Sequence, residues 1–521
     1  MLFKFKKIIT QLVLISAIIE ITFFFSIEIL WATFILVFGW IIIKDFVLTQ
    51  KNLKQYPITF FMFFGVALFH YAFPIPLTLL ELKPVNYNLQ CSNLTFLHHG
   101  LIILILVITH FIYRQSSLKF NPFREILKKT SFYKIVDDKL IWITSILALI
   151  FSIYIYLIFG VWENFTKKNF FITLFQPISI FLWMPVIIPF YKVRNIESKL
   201  SFKTKIFIIL YSIIVIIISI ISNWRTMLFS GIILFICMFL VGLLLGKYSI
   251  KSKLNSKNIS LIIILILLIL GPIIDLGIAM IITRQTRYET NSSKFLENTI
   301  QVYQNKELLK KVKNQFGENS KSYYSIKRWN EDYLENYFFN RYSNLKISDN
   351  CIYYAQKIGY NNLEMKKILK EELISFIPSF ITAYLNLESN LRKEEHQSSI
   401  TDNLYSLSIK NDSVKGSSII GSLPGVGLSI FGYWYLIVII PIFYIIFFMF
   451  DSYAFIVNNK VFFSYYFFTI IVLTFNFFND RHVFNFELRW ILRNYFESII
   501  FFLLFTSVSR FILKIFYSKQ R

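Results

Sequence analysis

Residues 206–245 read IFIILYSIIVIIISIISNWRTMLFSGIILFICMFLVGLLL. Two runs, 206–222 and 227–245, are each long and apolar enough to cross a hydrocarbon core, which takes about 17–25 residues. Inside lipid a backbone must satisfy its own hydrogen bonds, so each run is expected to be helical. Only the turn around Arg225 separates them, which makes them a hairpin with its tip held at one membrane face.

The same pattern extends outward in both directions. Further spans are expected at 8–25, 28–43, 58–80, 97–113, 140–160, 170–190, 259–282, 427–450, 461–478 and 495–513. The first two are joined around Ser26 and Ile27, as a hairpin or as one long tilted element. The N-terminal MLFKFKK resembles a signal peptide, but no small-residue cleavage site follows and the apolar run passes Glu20, so an uncleaved first helix is expected. The fold class is therefore an all-α polytopic membrane protein with about 12 transmembrane helices. Residues 1–283 hold nine of them, 284–426 form a large loop, and 427–521 hold the last three. Composition agrees: 56% of residues are hydrophobic and 16% charged, against about 25% charged in soluble domains.

A net charge of +24 would point to nucleic acid in a soluble protein. Its distribution argues otherwise. With the N-terminus inside and the spans alternating, 27 Lys/Arg fall in the cytoplasmic ends and loops, 7 in the short outward loops and 20 in the long loop. The positive-inside rule then sets both termini in the cytoplasm and the long loop outside, and no nucleic acid is needed. The three cysteines, Cys91, Cys237 and Cys351, form no CxxC or Cys/His pattern. In this topology Cys91 and Cys351 both face outward, as a disulfide or as two free thiols.

The segment from Arg284 to Val426 is too long for a connector. It is helical in pattern at SKFLENTIQVYQNKELLKKVKNQF and at LEMKKILKEELISFIPSFITAYL, where an apolar end is broken at Pro378. That second element lies on the membrane surface or dips back into it.

Arginines in the outward loops carry the chemical signal. Arg225 lies in SNWRTM, Arg284 and Arg287 in ITRQTRYET, and Arg481, Arg489 and Arg493 in NDRHVFNFELRWILRN. Short outward loops tend to avoid Lys/Arg, and guanidinium suits bidentate phosphate contacts. Each alone serves as well to anchor a helix end or to pair with Glu487, Asp480 or lipid phosphate; three loops at one face suit a pyrophosphate head group. His482 beside Arg481 is a candidate base or hydrogen-bond donor, and His70 and His110 are placed within spans where they could face each other. Acidic candidates for a general base are Glu371, Glu372, Glu388, Glu394, Glu395 and Asp402, with no spacing that selects one. No DxD-like pair for a nucleotide-sugar metal, Gly-rich phosphate loop or GxSxG elbow occurs, which argues against a primary pump, a cytoplasmic nucleotide-sugar transferase and a serine hydrolase, and no cofactor is expected.

Several of these stretches resemble the Wzy-type O-antigen polymerases. NWRTMLFSGIILF is similar to the motif that starts a middle helix in that family. RYSNLKISDNCIYYAQKIGY leads to ELISFIPSFI, in the order Arg, helix, Gly, then an I-P element, and GSSIIGSLPGVGLSIFGYWYLIVIIP resembles the family's start of the helix after the loop. The likeness covers residues 200–450 best. Ser379 stands where many members have Arg, and the Trp-Pro-Lys-Pro-like element is absent. The resemblance implies a GT-C-like bundle with a partly helical periplasmic loop in a bacterial inner membrane. It also implies polymerisation of undecaprenyl-pyrophosphate-linked oligosaccharide units into O-antigen or a related surface polysaccharide, beside a flippase and a chain-length regulator. Arg225, Arg284, Arg287, Arg481 and Arg489 would then stabilise the pyrophosphate leaving group, and Arg341 and His482 would contact substrate. The alternatives are an O-antigen ligase, which typically carries a His near the helix after the loop where GSSIIGSLPGVG has none, and a lipid-linked oligosaccharide flippase. A flippase needs polar residues along a cavity, whereas the spans hold little charge beyond Glu20 and Asp275.

Overall fold

The computed structural model describes residues 2–117, 120–159, 176–196, 200–221, 225–248, 271–272, 274–283, 292–318, 329–331, 333–334, 336, 339–340, 343, 345–377, 382, 384–385, 399–417, 419–458, 460–477 and 484–518. Among these, six helices are long and apolar enough to cross a membrane: Ile27–Val47, Ser92–Ser116, Phe202–Ile220, Met227–Leu244, Leu423–Asp451 and Phe484–Ile515. A seventh is the pair Pro57–Ala72 and Pro74–Leu80, bent by 41° where Pro74 interrupts the run. The chain is an all-α, multi-pass membrane protein.

Helices α1 (Leu2–Phe23) and α2 (Ile27–Ile42) form a hairpin rather than one tilted element. Ser26 breaks the run because its hydroxyl accepts from the Ile29 N–H and caps α2. Trp40 Nε1 donates back to Thr10 Oγ1 at 3.0 Å. There follow α3 (Pro57–Val66), α4 (Pro74–Leu80), α5 (Ser92–Ser117), α6 (Pro122–Lys128), α7 (Asp138–Phe159), α8 (Phe202–Ile221), α9 (Arg225–Leu244) and α10 (Ile274–Ile282). The run expected at 259–282 is described only from residue 271 onward, and the one expected at 170–190 only from 176. The latter is not α-helical there: Gln176–Phe181 and Met184–Phe190 are 3₁₀ turns. Pro177, Pro185 and Pro189 each remove an N–H that an α-helix would use.

The long segment supplies α11 (Ser292–Gln304), α12 (Lys306–Glu318), α13 (Lys346–Ile358), α14 (Leu363–Phe376) and α15 (Ile400–Ile409). Then come α16 (Leu423–Phe431) and α17 (Tyr435–Asp451), separated at Gly432, whose φ of 58° few side chains tolerate. The helix expected over 461–478 starts late. Ala454–Val457 (β1) and Lys460–Phe463 (β2) pair antiparallel across a tight turn at Asn458, so α18 spans only Tyr465–Phe475. Aromatic and β-branched side chains flanking a two-Asn turn suit a hairpin better than a helix. α19 (Phe484–Arg489) and α20 (Tyr495–Ser518) complete the chain.

Hydrogen bonds sort the helix ends into two groups. At one end Lys6 Nζ donates to Leu48 O, Arg114 Nη1 to Asn52 Oδ1, and Asn121 Nδ2 to Phe448 O. Asp451 there accepts from the Ile58 and Thr59 N–H groups, Thr59 Oγ1 and Tyr113 OH, closing the start of α3. Lys247, Asn195 and Val461 O form a chain at the same end. At the opposite end the long segment docks on the span connections. Tyr333 OH donates to Val85 O, the Asn336 N–H to Glu81 Oε1, and the Gln90 and Cys91 N–H groups to Asp349 of α13. Glu20, buried at the far end of α1, accepts from the Val85 N–H at 2.7 Å.

The loop helices share one apolar core with the spans, which runs from Val13 and Leu36 through Cys351 and Leu369 to Phe443. α13 and α16 pack so closely that a Cβ on Gly425 would lie 2.1 Å from Cys351 Cβ. α14 rests against α15, α16 and α19.

Candidate functional site

α14 gives the loop's I-P element its shape. Asn362 accepts from the Glu364 and Met365 N–H groups and starts the helix. Extended backbone at Ile377, just before Pro378, ends it. Its inward face is Met365, Leu369, Glu372 and Phe376, all buried. Three of these are apolar, and the fourth is a carboxylic acid.

Glu372 is 6% exposed. Its side chain is hydrogen-bonded to Asn485 of α19 and feels the charge of Arg489 one turn further on. Oε2 has no partner among the described residues, and neither has Asn485 Oδ1. Burial pushes the carboxyl up to about 7, against the smaller downward pull of Asn485 and Arg489. Arg489 is exposed on the last turn of α19, with its guanidinium 5.6 Å from the Phe376 ring centroid. A cation and a carboxyl held near neutrality by burial therefore lie on the two sides of the seam between the loop's I-P helix and the final span.

Of the residues expected to bind a head group, Arg489 is the one whose side chain is described, and it stands at this seam. Arg225 begins α9, as its motif implies, though its side chain lies outside the described residues. The helix itself is anchored from behind: Trp183 Nε1 donates to Met227 O at 2.8 Å, and the indole lies against Gly231, where a Cβ would approach to 2.4 Å. Arg284, Arg287, Arg341, Arg481 and His482 lie outside the described residues. Arg493 is tied to Glu497 by a 2.7 Å ion pair. Glu487, a suggested arginine partner, faces the core instead and is 2% exposed.

Among the other acidic candidates, Asp402 has a structural task. With Ser399 it forms a capping box on α15, and it also accepts from the Ile419 N–H. Glu388, Glu394 and Glu395 lie outside the described residues. The expected His70–His110 pair is not formed: His70 lies beside His99, ring centroids 5.9 Å apart, and His110 Nε2 bonds Thr59 Oγ1 at 3.1 Å. Both histidines are on the inner faces of their helices, but at different depths. His98, expected at the interface, is buried, with Nδ1 2.8 Å from Tyr435 OH. Cys91, Cys237 and Cys351 are free thiols. No group of three or more His, Cys, Asp or Glu among the described residues could hold a metal ion.

Residue type alone did not reveal Asn485 or Phe376, which complete the site. No family model, no curated protein and no solved structure matches the chain.

Proposed function

We propose that this chain is a Wzy-type polymerase that joins undecaprenyl-pyrophosphate-linked oligosaccharide units at the outer face of a bacterial inner membrane. About 12 spans, cytoplasmic termini and a periplasmic loop over 284–426 belong to the same reading. The charge asymmetry of 27 Lys/Arg against 7 supports that orientation.

The observation that carries the reading is the seam where Arg489 meets α14. A lipid-linked sugar donor needs no activation beyond departure of its pyrophosphate. Negative charge grows on that group as the glycosidic bond breaks, and a preorganised cation lowers the barrier most where the charge develops. Arg489 supplies such a cation on a rigid helix, at the end of the molecule where the long segment is docked. Arg225, Arg284, Arg287 and Arg481 are proposed to join it around the pyrophosphate, and Arg341 and His482 to hold sugar. Membrane lipids, a flippase and a chain-length regulator are the proposed neighbours.

The test is deletion of the gene in its host, complementation with wild type, Arg489→Ala and Arg489→Lys, and display of the surface polysaccharide on a gel. Deletion is expected to leave core plus a single repeat unit. Arg489→Ala, at normal protein level, should lose most of the ladder. Arg489→Lys should restore it only in part, because an ammonium is a point charge and cannot contact phosphate bidentately. An unchanged ladder after deletion overturns the reading, and loss of every unit from the core indicates ligation or flipping instead.

A further inference from the structure

We infer that Glu372 is the general base of this site, taking the proton from the acceptor hydroxyl through Oε2, which has no partner among the described residues, while Asn485 hydrogen-bonds the carboxyl and Arg489 acts on it by charge alone. The inference rests on the polymerase reading above, and it singles out one carboxylate among the three described, Glu371, Glu372 and Asp402, of the six that the sequence leaves equivalent.

Three structural facts mark Glu372 out among the described acids. It lies on the buried face of α14, not among the solvated acids of the same helix such as Glu364, whose partner is Lys367 at 2.7 Å. One carboxylate oxygen has no hydrogen-bond partner among the described residues, although burying a polar atom without a partner is costly and most such atoms are satisfied. Its neighbours come from a different part of the chain, the last span, so the group sits where the loop closes on the membrane domain. A hydroxyl arriving at Oε2 completes the bond that the described residues leave open.

The balance is simple. The acceptor oxygen forms the new bond to the donor's anomeric carbon as the bond from that carbon to the pyrophosphate oxygen breaks. The bonding electron pair leaves with the pyrophosphate. The hydroxyl proton goes to Glu372, which releases it to the departing diphosphate or to water. A carboxyl raised to about 7 is a stronger base than an ordinary Glu and is still largely ionised slightly above neutrality.

The charged groups on the described elements packed against Glu372 can be placed one by one. On α19, Arg489 acts on Glu372 while Glu487 is turned into the core. On α15, Asp402 is committed to its helix cap. α16 carries no titratable group. On α14 itself, Glu371 adjoins Glu372 in sequence and is half-buried.

The experiment uses purified full-length protein in nanodiscs and lipid-linked single repeat units extracted from the deletion strain. Initial rates of chain lengthening are measured between pH 5.5 and 8.5 for wild type, Glu372→Gln and Glu372→Asp. Wild type should gain rate as pH rises through about 7 and then level off. Glu372→Gln should fall by about 10²- to 10⁴-fold and lose the acidic limb. Glu372→Asp keeps a carboxylate, so it should keep the limb at a displaced midpoint. If Glu372→Gln does not accumulate, the Asp profile decides: an undisplaced midpoint overturns the assignment. A Glu372→Gln rate within threefold of wild type, or an unaltered pH profile, overturns it while leaving the polymerase reading intact. Wild type that lengthens nothing at any pH removes the polymerase reading itself, and the base with it.

Discussion

Two buried carboxylates, Glu372 and Asp349, show how surroundings assign a role. Asp349 is fully engaged: it accepts from the Gln90 N–H at 2.7 Å, the Cys91 N–H at 2.8 Å and Lys346 Nζ at 2.9 Å. It pins α13 to the start of α5, and Cys91 Sγ donates to it as well. Burial and that neighbouring carboxylate raise the Cys91 thiol, so it stays protonated. Glu372 is only half engaged. Asp349→Ala should therefore act on stability: it takes the carboxylate from a lysine that is 1% exposed, and breaking such a buried pair costs about 3–5 kcal/mol. A lower melting temperature in detergent and faster proteolysis within 284–426 would check this, and an unaltered melting curve would refute it. Part of this was legible in the chain. Met365, Leu369, Glu372 and Phe376 follow a 4-3-4 spacing that defines one helix face, so the acid on the apolar stripe could have been distinguished from Glu371. Asp349 offered no such signal, because two of its partners, Gln90 and Cys91, lie more than 250 residues away in sequence.

At the scale of elements, apolar length read the long helices well and local chemistry decided the remainder. Ile27–Val47, Ser92–Ser116 and Leu423–Asp451 fall where uninterrupted hydrophobic runs place them. The exceptions have local causes: proline spacing turns 176–190 into 3₁₀ geometry, and Asn458 with its aromatic flanks turns 454–463 into a hairpin. Helix pairing was not legible, since it depends on which small residue meets which neighbour. Gly65 of α3 is the clearest case. A Cβ there would lie 1.7 Å from the Phe475 carbonyl oxygen at the end of α18, and backbone cannot rotate away as a side chain can. Gly65→Ala should force the two helices apart and destabilise the protein by about 1–3 kcal/mol. The check is thermal unfolding in detergent, where a melting point equal to wild type would show that the crossing relaxes freely. Small residues at such crossings let membrane helices approach closely where no hydrophobic force drives them together.

For the whole molecule, the apolar core does not stop at the membrane boundary expected near residue 427. It continues through α16 into α13, α14 and α15, so the long segment is a fixed part of the bundle where it is described. Its position relative to the spans follows from hydrogen bonds such as Tyr333 to Val85 and Asn336 to Glu81, which no pattern within either segment announces. The long apolar helices were legible, because uninterrupted hydropathy marks them. The proximity of Arg489 to Glu372 was not, because it joins residues more than 100 positions apart.

The measurement that bears most directly on the central claim is turnover by the isolated protein. Purified chain in nanodiscs is supplied with lipid-linked single repeat units from the deletion strain, with no flippase or chain-length regulator present. The account predicts that the units disappear into longer lipid-linked chains, with one lipid diphosphate released for each bond formed. Units that remain single, with no diphosphate released, would contradict it.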